Sequence, residues 1–229
     1  MAPRRGGEGF RIDVDLDHAR REGERVSSLL SALRRRHDLS RFEYTGIVRV
    51  VPGGDTFAHP VLTLGNRFAG SEDLLLSTYL HEQMHWYLWR LGGETSDPVA
   101  PFFDELVRRY PQAPIAPPDG ALSYESTYLH LVVNWLEVAA TAEYIGHPRA
   151  RAVADASRSY RWIYQTVLRD WDLLGELYER HDLVPIRPAQ ELRDRPVSGG
   201  RRKTRAEARP IPPRRSRRRP RARGGRSAG

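Results

Sequence analysis

The chain has 229 residues and a formal net charge of +8, and its length is enough for one sizeable domain with a buried core. It contains no cysteine, which excludes disulfides, thiolate metal ligands and cysteine nucleophiles. There is no secretory h-region at the start and no apolar run of the roughly 18 residues that a bilayer span needs. We therefore expect a cytoplasmic protein without a membrane partner.

Basic residues are concentrated near the C-terminus. Residues 201–229 hold thirteen Lys or Arg and one acid, Glu207, which leaves 24 basic and 28 acidic residues in the rest of the chain. The segment 196–229 is rich in Pro and Arg and poor in apolar residues, so we predict that it is a disordered, solvated tail. Weak, non-specific contact with nucleic acid is the alternative role for it. Residues 1–10 are predicted to be a flexible leader, and residues 11–195 to form the folded domain.

The first half of the domain is predicted to contain a helix and two strands. Apolar residues recur at helical spacing over 17–37, which predicts an amphipathic helix. Residues 42–51 and 56–64 are typical of strands, and Pro52-Gly53-Gly54-Asp55 between them is a turn signal. A tight turn between two strands predicts an antiparallel pair.

Helices are predicted to follow. Ser71 and the acids after it suggest a helix start, and Gly92-Gly93 suggests its end, so the first of these helices covers 72–91. Further helices are predicted at 102–110, 124–145 and 150–179. The expected fold class is α+β, with a small antiparallel sheet packed on a buried helix and further helices around it.

The helix 72–91 contains His81-Glu82-Gln83-Met84-His85, one copy of the pattern H-E-x-x-H. Residues i and i+4 of a helix project from one face, so His81 and His85 can hold one ion between them. Glu82 lies about 100° round the axis from His81, within reach of a water bound to that ion. Zn²⁺ accepts imidazole nitrogen readily, and a catalytic zinc site uses three protein ligands and leaves the fourth position for water. A third ligand is therefore needed.

The helix 124–145 supplies candidates for this ligand. Its central part is apolar except for His130, Asn134, Glu137 and Thr141, which fall within roughly 60° of one another around the helix axis. A buried carboxylate in such a polar stripe needs a metal or a base to compensate its charge. We predict that Glu137 is the third ligand.

Alternatives to Glu137 are open. Glu143 lies about 120° away on the same helix and ranks second, because it falls outside the stripe. His147 follows the helix-ending Gly146, and His59 precedes a predicted strand segment. If Glu137 does not bind a metal, the alternative is a salt bridge from its carboxylate to an arginine.

The motif helix followed by a helix that donates Glu137 resembles the gluzincin group of zinc metallopeptidases, over residues 42–145. The chain looks closest to uncharacterised bacterial members of the wider zincin-like superfamily. The resemblance implies a zincin-like fold in which a strand antiparallel to bound substrate precedes the motif helix, where 56–64 stands. Some gluzincins carry a supporting aspartate where this chain has Thr141. Orientation of the ligands must then come from elsewhere, such as Asn134 or a backbone carbonyl.

The expected activity is zinc-dependent peptide hydrolysis. Zinc held by His81, His85 and Glu137 acidifies a water, Glu82 takes its proton, and the attack falls on a peptide carbonyl. His130 is the preferred donor to the oxyanion because it lies on the same helix face as Glu137. The alternative donors are Tyr124, Tyr128 and Tyr160.

Two other functions compete with hydrolysis. The first is a non-hydrolytic protein in which zinc is structural, although Glu82 beside the ligands argues against it. The second is a nucleic-acid-associated protein led by the basic segment 196–229. The expected partner of the hydrolase is a peptide or protein substrate, whose identity the sequence does not specify, and the oligomeric state is equally open.

Overall fold

The computed structural model describes residues 10–14, 20–65, 71–92 and 98–193, all of which belong to a unit that spans Met1–Ser198. Within these ranges the chain forms eight α-helices, one short 3-10 helix and three short strands. None of the helices in these ranges is both long and apolar enough to cross a membrane. The predictions for the leader up to residue 9 and for the segment 196–229 lie outside the described residues.

The elements follow one another with helices in the majority. The strands are β1 (Arg11–Val14), β2 (Ile47–Val50) and β3 (Leu62–Leu64), and the 3-10 helix at Leu39–Phe42 precedes β2. The helices are α1 (Arg20–Arg36), α2 (Glu72–Gly92), α3 (Ala100–Arg109), α4 (Tyr124–Ile145), α5 (His147–Asp155), α6 (Arg161–Arg169), α7 (Trp171–Arg180) and α8 (Ala189–Arg193).

The sheet is parallel throughout, and the predicted antiparallel pair and α+β zincin-like class are therefore wrong. The strands lie in the order β1-β2-β3, with Arg11 opposite Ile47 and Val48 opposite Leu62. Helix α1 connects β1 to β2, as is usual for parallel neighbours. The protein is a mostly helical α/β structure, and β1 was missing from the prediction because four residues carry little periodicity.

The predicted turn after β2 exists, but it does not pair β2 with β3 in antiparallel fashion. Gly54 N–H donates to the Val51 carbonyl at 3.0 Å, and Gly53 adopts a φ of +76°. Instead, Phe57, which precedes β3 in the chain, forms an antiparallel bridge with Thr63 of β3. The two residues exchange main-chain hydrogen bonds of 3.0 and 2.8 Å. The outer edge of β3 is thus occupied by the chain's own Phe57. Both main-chain groups of Thr63 are therefore already bonded to Phe57 and do not pair with an extended substrate strand at this edge.

The two long helices were predicted correctly. Helix α2 begins and ends within one residue of the predicted 72–91, and α4 covers the predicted 124–145. Ser123 caps α4, because its side chain accepts a hydrogen bond from the Ser126 N–H, and Gly146 ends it with a φ of +81°. Strong end signals and continuous apolar periodicity explain the agreement.

The prediction of one continuous helix over 150–179 was wrong. The segment forms α5, α6 and α7 instead, with breaks before Arg161 and at Asp170. Tyr160, immediately before α6, is in the left-handed region with a φ of +56° and a ψ of +35°. This conformation is unfavourable for a residue with a side chain and interrupts the helix. It also directs α6 back across α4.

Gln83, the middle residue of the motif, fixes helix α2 to the segment that leads into β2. Its amide oxygen accepts hydrogen bonds from the main-chain N–H groups of Tyr44 (2.8 Å) and Thr45 (3.1 Å). Its amide nitrogen donates to the Thr45 carbonyl (3.1 Å) and to the Tyr79 hydroxyl (3.0 Å). A fully buried amide with all four hydrogen bonds made holds the helix in one rotation about its axis. That rotation turns His81 and His85 toward α4.

Candidate metal centre

Three histidines from α2 and α4 meet between the two helices. The available ring nitrogens of His81, His85 and His130 all lie within 4.8 Å of one another. The ring centroids are 5.1 Å apart for His81–His85, 5.5 Å for His81–His130 and 5.1 Å for His85–His130. His85 is opposite His130 while His81 is opposite Glu137, so the two helices run antiparallel. This buried three-histidine cluster could hold a metal ion.

Hydrogen bonds fix the tautomers of two of these rings. His130 Nδ1 lies 2.7 Å from the main-chain oxygen of Ser126, which only accepts, so Nδ1 carries the proton. His81 Nδ1 lies 2.9 Å from Oε2 of Glu137 and donates to it. In its neutral form each of these two rings therefore has an unprotonated Nε2, which is the form that binds a metal.

Glu137 lies behind His81, where its oxygens are used by three donors. Oε2 accepts from His81 and, at 2.7 Å, from the hydroxyl of Tyr164 on α6, while Oε1 accepts from the hydroxyl of Ser77. Glu137 is 1 % exposed. A carboxylate that accepts from the far nitrogen of a histidine orients that ring and raises its basicity.

Burial and nearby charges shift the pKa values of the three histidines in different directions. Burial opposes a charge on His81, but the hydrogen bond and charge of Glu137, assisted by Glu82, outweigh burial and raise the pKa of His81. Burial and the neighbouring imidazoles lower the pKa of His85 well below its usual value. Burial, followed by the charge of His81, lowers the pKa of His130 to about 3. At neutral pH His85 and His130 are therefore in the form that binds a metal.

Glu82 lies beside the cluster and is 5 % exposed. Burial, opposed by His81 and assisted by the charge of Glu137, raises the pKa of Glu82 to about 7. A carboxylate with a pKa near the pH at which it works exchanges protons efficiently in either direction. Glu137, by contrast, has both carboxylate oxygens engaged in hydrogen bonds.

Tyr160 is the one of the three candidate tyrosines that contacts the cluster. Its ring centroid is 4.5 Å from that of His130 and 6.1 Å from that of His81, nearly parallel to the latter at 11°. Burial, with the charges of Glu82 and Glu137, raises the pKa of Tyr160, which keeps its phenol neutral and able to donate. The Tyr128 hydroxyl donates instead to the Tyr110 carbonyl at 2.7 Å, and Tyr124 is exposed.

None of the alternative ligands belongs to the three-histidine cluster. Glu143 is exposed and forms an ion pair with Arg41 at 3.3 Å. His147 is exposed against Trp171, with ring centroids 5.0 Å apart. His59 packs on Trp86 at 4.4 Å, where it lines a cleft next to His85.

That cleft has a volume of about 750 Å³ and is bordered by His59, His85 and Ser126. His85 is the most exposed of the three clustered histidines. Ser126 carries the carbonyl that fixes the His130 ring. A small molecule or peptide in the cleft therefore reaches the cluster from the His85 side.

Sequence reasoning named every residue of the cluster but arranged them differently. It expected His130 to be an oxyanion donor and Glu137 to be a ligand, whereas the structure groups His130 with His81 and His85 and holds Glu137 behind His81. Ser77 lies four residues before His81, on the same helix face, and could have been found by that spacing. Tyr164 had no local sequence signal, because its contact with Glu137 depends on how α6 packs.

Comparisons with known proteins leave the site to be interpreted from its own geometry. No protein-family model matches the chain. The comparisons with curated proteins and with solved structures likewise find no match.

Proposed function

We propose that the protein is a zinc-dependent hydrolase that cleaves peptide bonds, with zinc held by His81, His85 and His130. The observation that carries this proposal is the convergence of three imidazoles beside a buried carboxylate, Glu82, whose pKa is about 7. Three protein nitrogens with one position open to a cleft is the ligand set of a catalytic zinc site. The proposal gives the third ligand position to His130 and makes Glu137 the residue that orients His81.

The residues fit a zinc ion. In a tetrahedral site with Zn–N bonds of 2.0–2.1 Å, two ligand nitrogens are roughly 3.4 Å apart. Nitrogens now within 4.8 Å of one another need to approach by at most about 1.4 Å, which small side-chain torsions provide. Nitrogen ligands without carboxylate or thiolate favour zinc over magnesium or calcium.

A bound zinc supplies a Lewis acid and an acidified water. Glu82 is placed to take a proton from the attacking water on a carboxylate oxygen and to return it to the leaving amine nitrogen. Tyr160 offers a neutral phenol as hydrogen-bond donor to the substrate carbonyl oxygen as charge develops there. Glu137, held by Ser77 and Tyr164, keeps Nε2 of His81 directed toward the ion.

The test is the variant Glu82→Gln, assayed on a library of short synthetic peptides read by mass spectrometry. We expect zinc-loaded wild-type protein to cleave members of the library and Glu82→Gln to lose at least about a hundredfold in kcat, because general-base catalysis contributes that much. Zinc content should be unchanged in the variant. Glu176→Gln, an exposed acid on α7, is the matched control and should retain wild-type cleavage.

A structural zinc site is the second candidate, and the near-complete burial of His81 and His130, each 7 % exposed, favours it. The same experiment separates the two. Zinc-loaded protein that cleaves no peptide, or Glu82→Gln that cleaves as fast as wild type, contradicts the hydrolase. In that case removal of zinc by a chelator should still lower the free energy of unfolding.

A further inference from the structure

The cleft beside His85 has chemical features that select a substrate. The cleft is lined by Leu88 and Trp89 near the end of α2, by Phe103 of α3 and by Leu129 of α4. Trp89 is 43 % exposed, an unusual position for so large an apolar ring. Exposed aromatic surface inside a cleft indicates that a ligand covers it.

The charged groups of the cleft are acidic. Asp104 on α3 and Glu125 in the first turn of α4 line it, and both side chains are exposed to solvent. Hydrogen bonds from its own main chain and from Ser123 lower the pKa of Glu125, which keeps it ionised. Among the described residues that line the cleft there is no Lys or Arg.

Lysine and arginine side chains match both features together. Their aliphatic stems cover apolar surface while the charged head reaches water or a carboxylate, and the cation is attracted to the face of an aromatic ring. A free main-chain amine has the charge without the stem. An apolar side chain alone offers no cation to the two carboxylates.

We propose that the cleft binds a peptide substrate through a lysine or arginine side chain lying next to an apolar residue, with the cation held by Asp104 and Glu125 and the stem on Trp89. The proposal rests on the proposed function, since it assigns the substrate class of the same site. Peptide binding in the cleft brings the neighbouring peptide bond to His85, the ligand that faces it.

Binding is measured by calorimetry with zinc-loaded, full-length Glu82→Gln, which does not consume the peptide. The probes are blocked pentapeptides Ala-Phe-Xaa-Ala-Ala in which Xaa is Lys, Gln or Glu. We expect the Lys peptide to bind about tenfold more tightly than the Glu peptide, and the difference to shrink in high salt. Asp104→Asn and Glu125→Gln should each weaken the Lys peptide by about threefold and leave the Gln peptide unchanged.

The exposed Glu176→Gln serves as the charge-matched control, and its affinity for all three peptides should equal that of the parent. Equal binding of the three peptides, or loss of Lys preference in the control, overturns the proposal. An unblocked Gln peptide that binds as tightly as the Lys peptide also overturns it, because the cleft would then recognise a terminal amine. Hydrolysis by the wild type without charge preference refutes this inference alone. Charge-selective binding without any hydrolysis refutes the hydrolase and leaves the cleft assignment standing.

Discussion

The polar stripe of α4 has two ends with opposite surroundings. At the His130 end, the ring is held by one main-chain carbonyl and lies next to His81 and His85 beside the cleft. At the Glu137 end, both carboxylate oxygens are occupied by donors from α2 and α6. Between the two lies Asn134, fully buried, whose amide has no hydrogen-bond partner among the described residues.

The difference shows why burial and helix face do not by themselves assign a ligand. A residue is well suited to bind a metal when an atom remains available after its hydrogen bonds are made and lies near the other candidate ligands. His130 satisfies this condition with one nitrogen bonded and the other available. Glu137 instead accepts a hydrogen bond from His81 and orients its ring.

The largest expected effect is a difference in zinc affinity between variants at the two ends of the stripe. His130→Ala removes a proposed ligand and should weaken zinc binding by more than about a hundredfold, whereas Glu137→Gln should cost about ten- to a hundredfold, as orienting residues do. The affinities are measured by competition with a chromophoric chelator. His147→Ala, an exposed histidine, is the matched control and should bind zinc as wild type does. A greater loss in Glu137→Gln than in His130→Ala would reverse the assignment.

The pH dependence of zinc binding tests whether Glu137 raises the pKa of His81. A proton competes with zinc for His81, and a raised pKa means that this competition begins at a higher pH. We expect zinc affinity of the wild type to fall about tenfold per pH unit below the pKa of His81. Glu137→Gln removes the charge that raises this pKa, so the fall should begin at a lower pH.

Affinity titrations between pH 5 and 8, a range around the usual imidazole pKa of about 6.5, check this expectation. The charge of Glu137 also raises the pKa of Glu82, so both proteins are compared in the Glu82→Gln background, which removes that titration. A fall that begins at the same pH in Glu137→Gln as in the wild type would mean that Glu137 does not control His81.

The smallest expected effect concerns Asn134, midway between the two ends. A buried amide without partners is a cost to folding, so Asn134→Leu should raise the free energy of unfolding of the metal-free protein by about 1 kcal/mol. Gln83→Leu is the matched comparison, a fully buried amide with four hydrogen bonds, and should be destabilising by about 1–3 kcal/mol. Urea denaturation of both variants measures the difference. Destabilisation by Asn134→Leu would indicate a partner for this amide, such as a buried water.

Local sequence determined the two long helices and the residues available for chemistry. Apolar periodicity with end signals set α2 and α4, and the spacing of His81 and His85 placed both on one face. The sheet could not be predicted in this way, because strands of three or four residues have little periodicity and a turn signal does not say which neighbour the next strand joins.

Tertiary structure decided the roles within the site. From the sequence alone, His130 and Glu137 were two polar residues on one stripe of one helix, and either could reach an ion held by α2. The antiparallel packing of α2 on α4 placed His130 opposite His85, and the left-handed Tyr160 turned α6 so that Tyr164 reached Glu137. Helical periodicity specifies the face on which a side chain lies, whereas its partner depends on the position and direction of the element packed against that face.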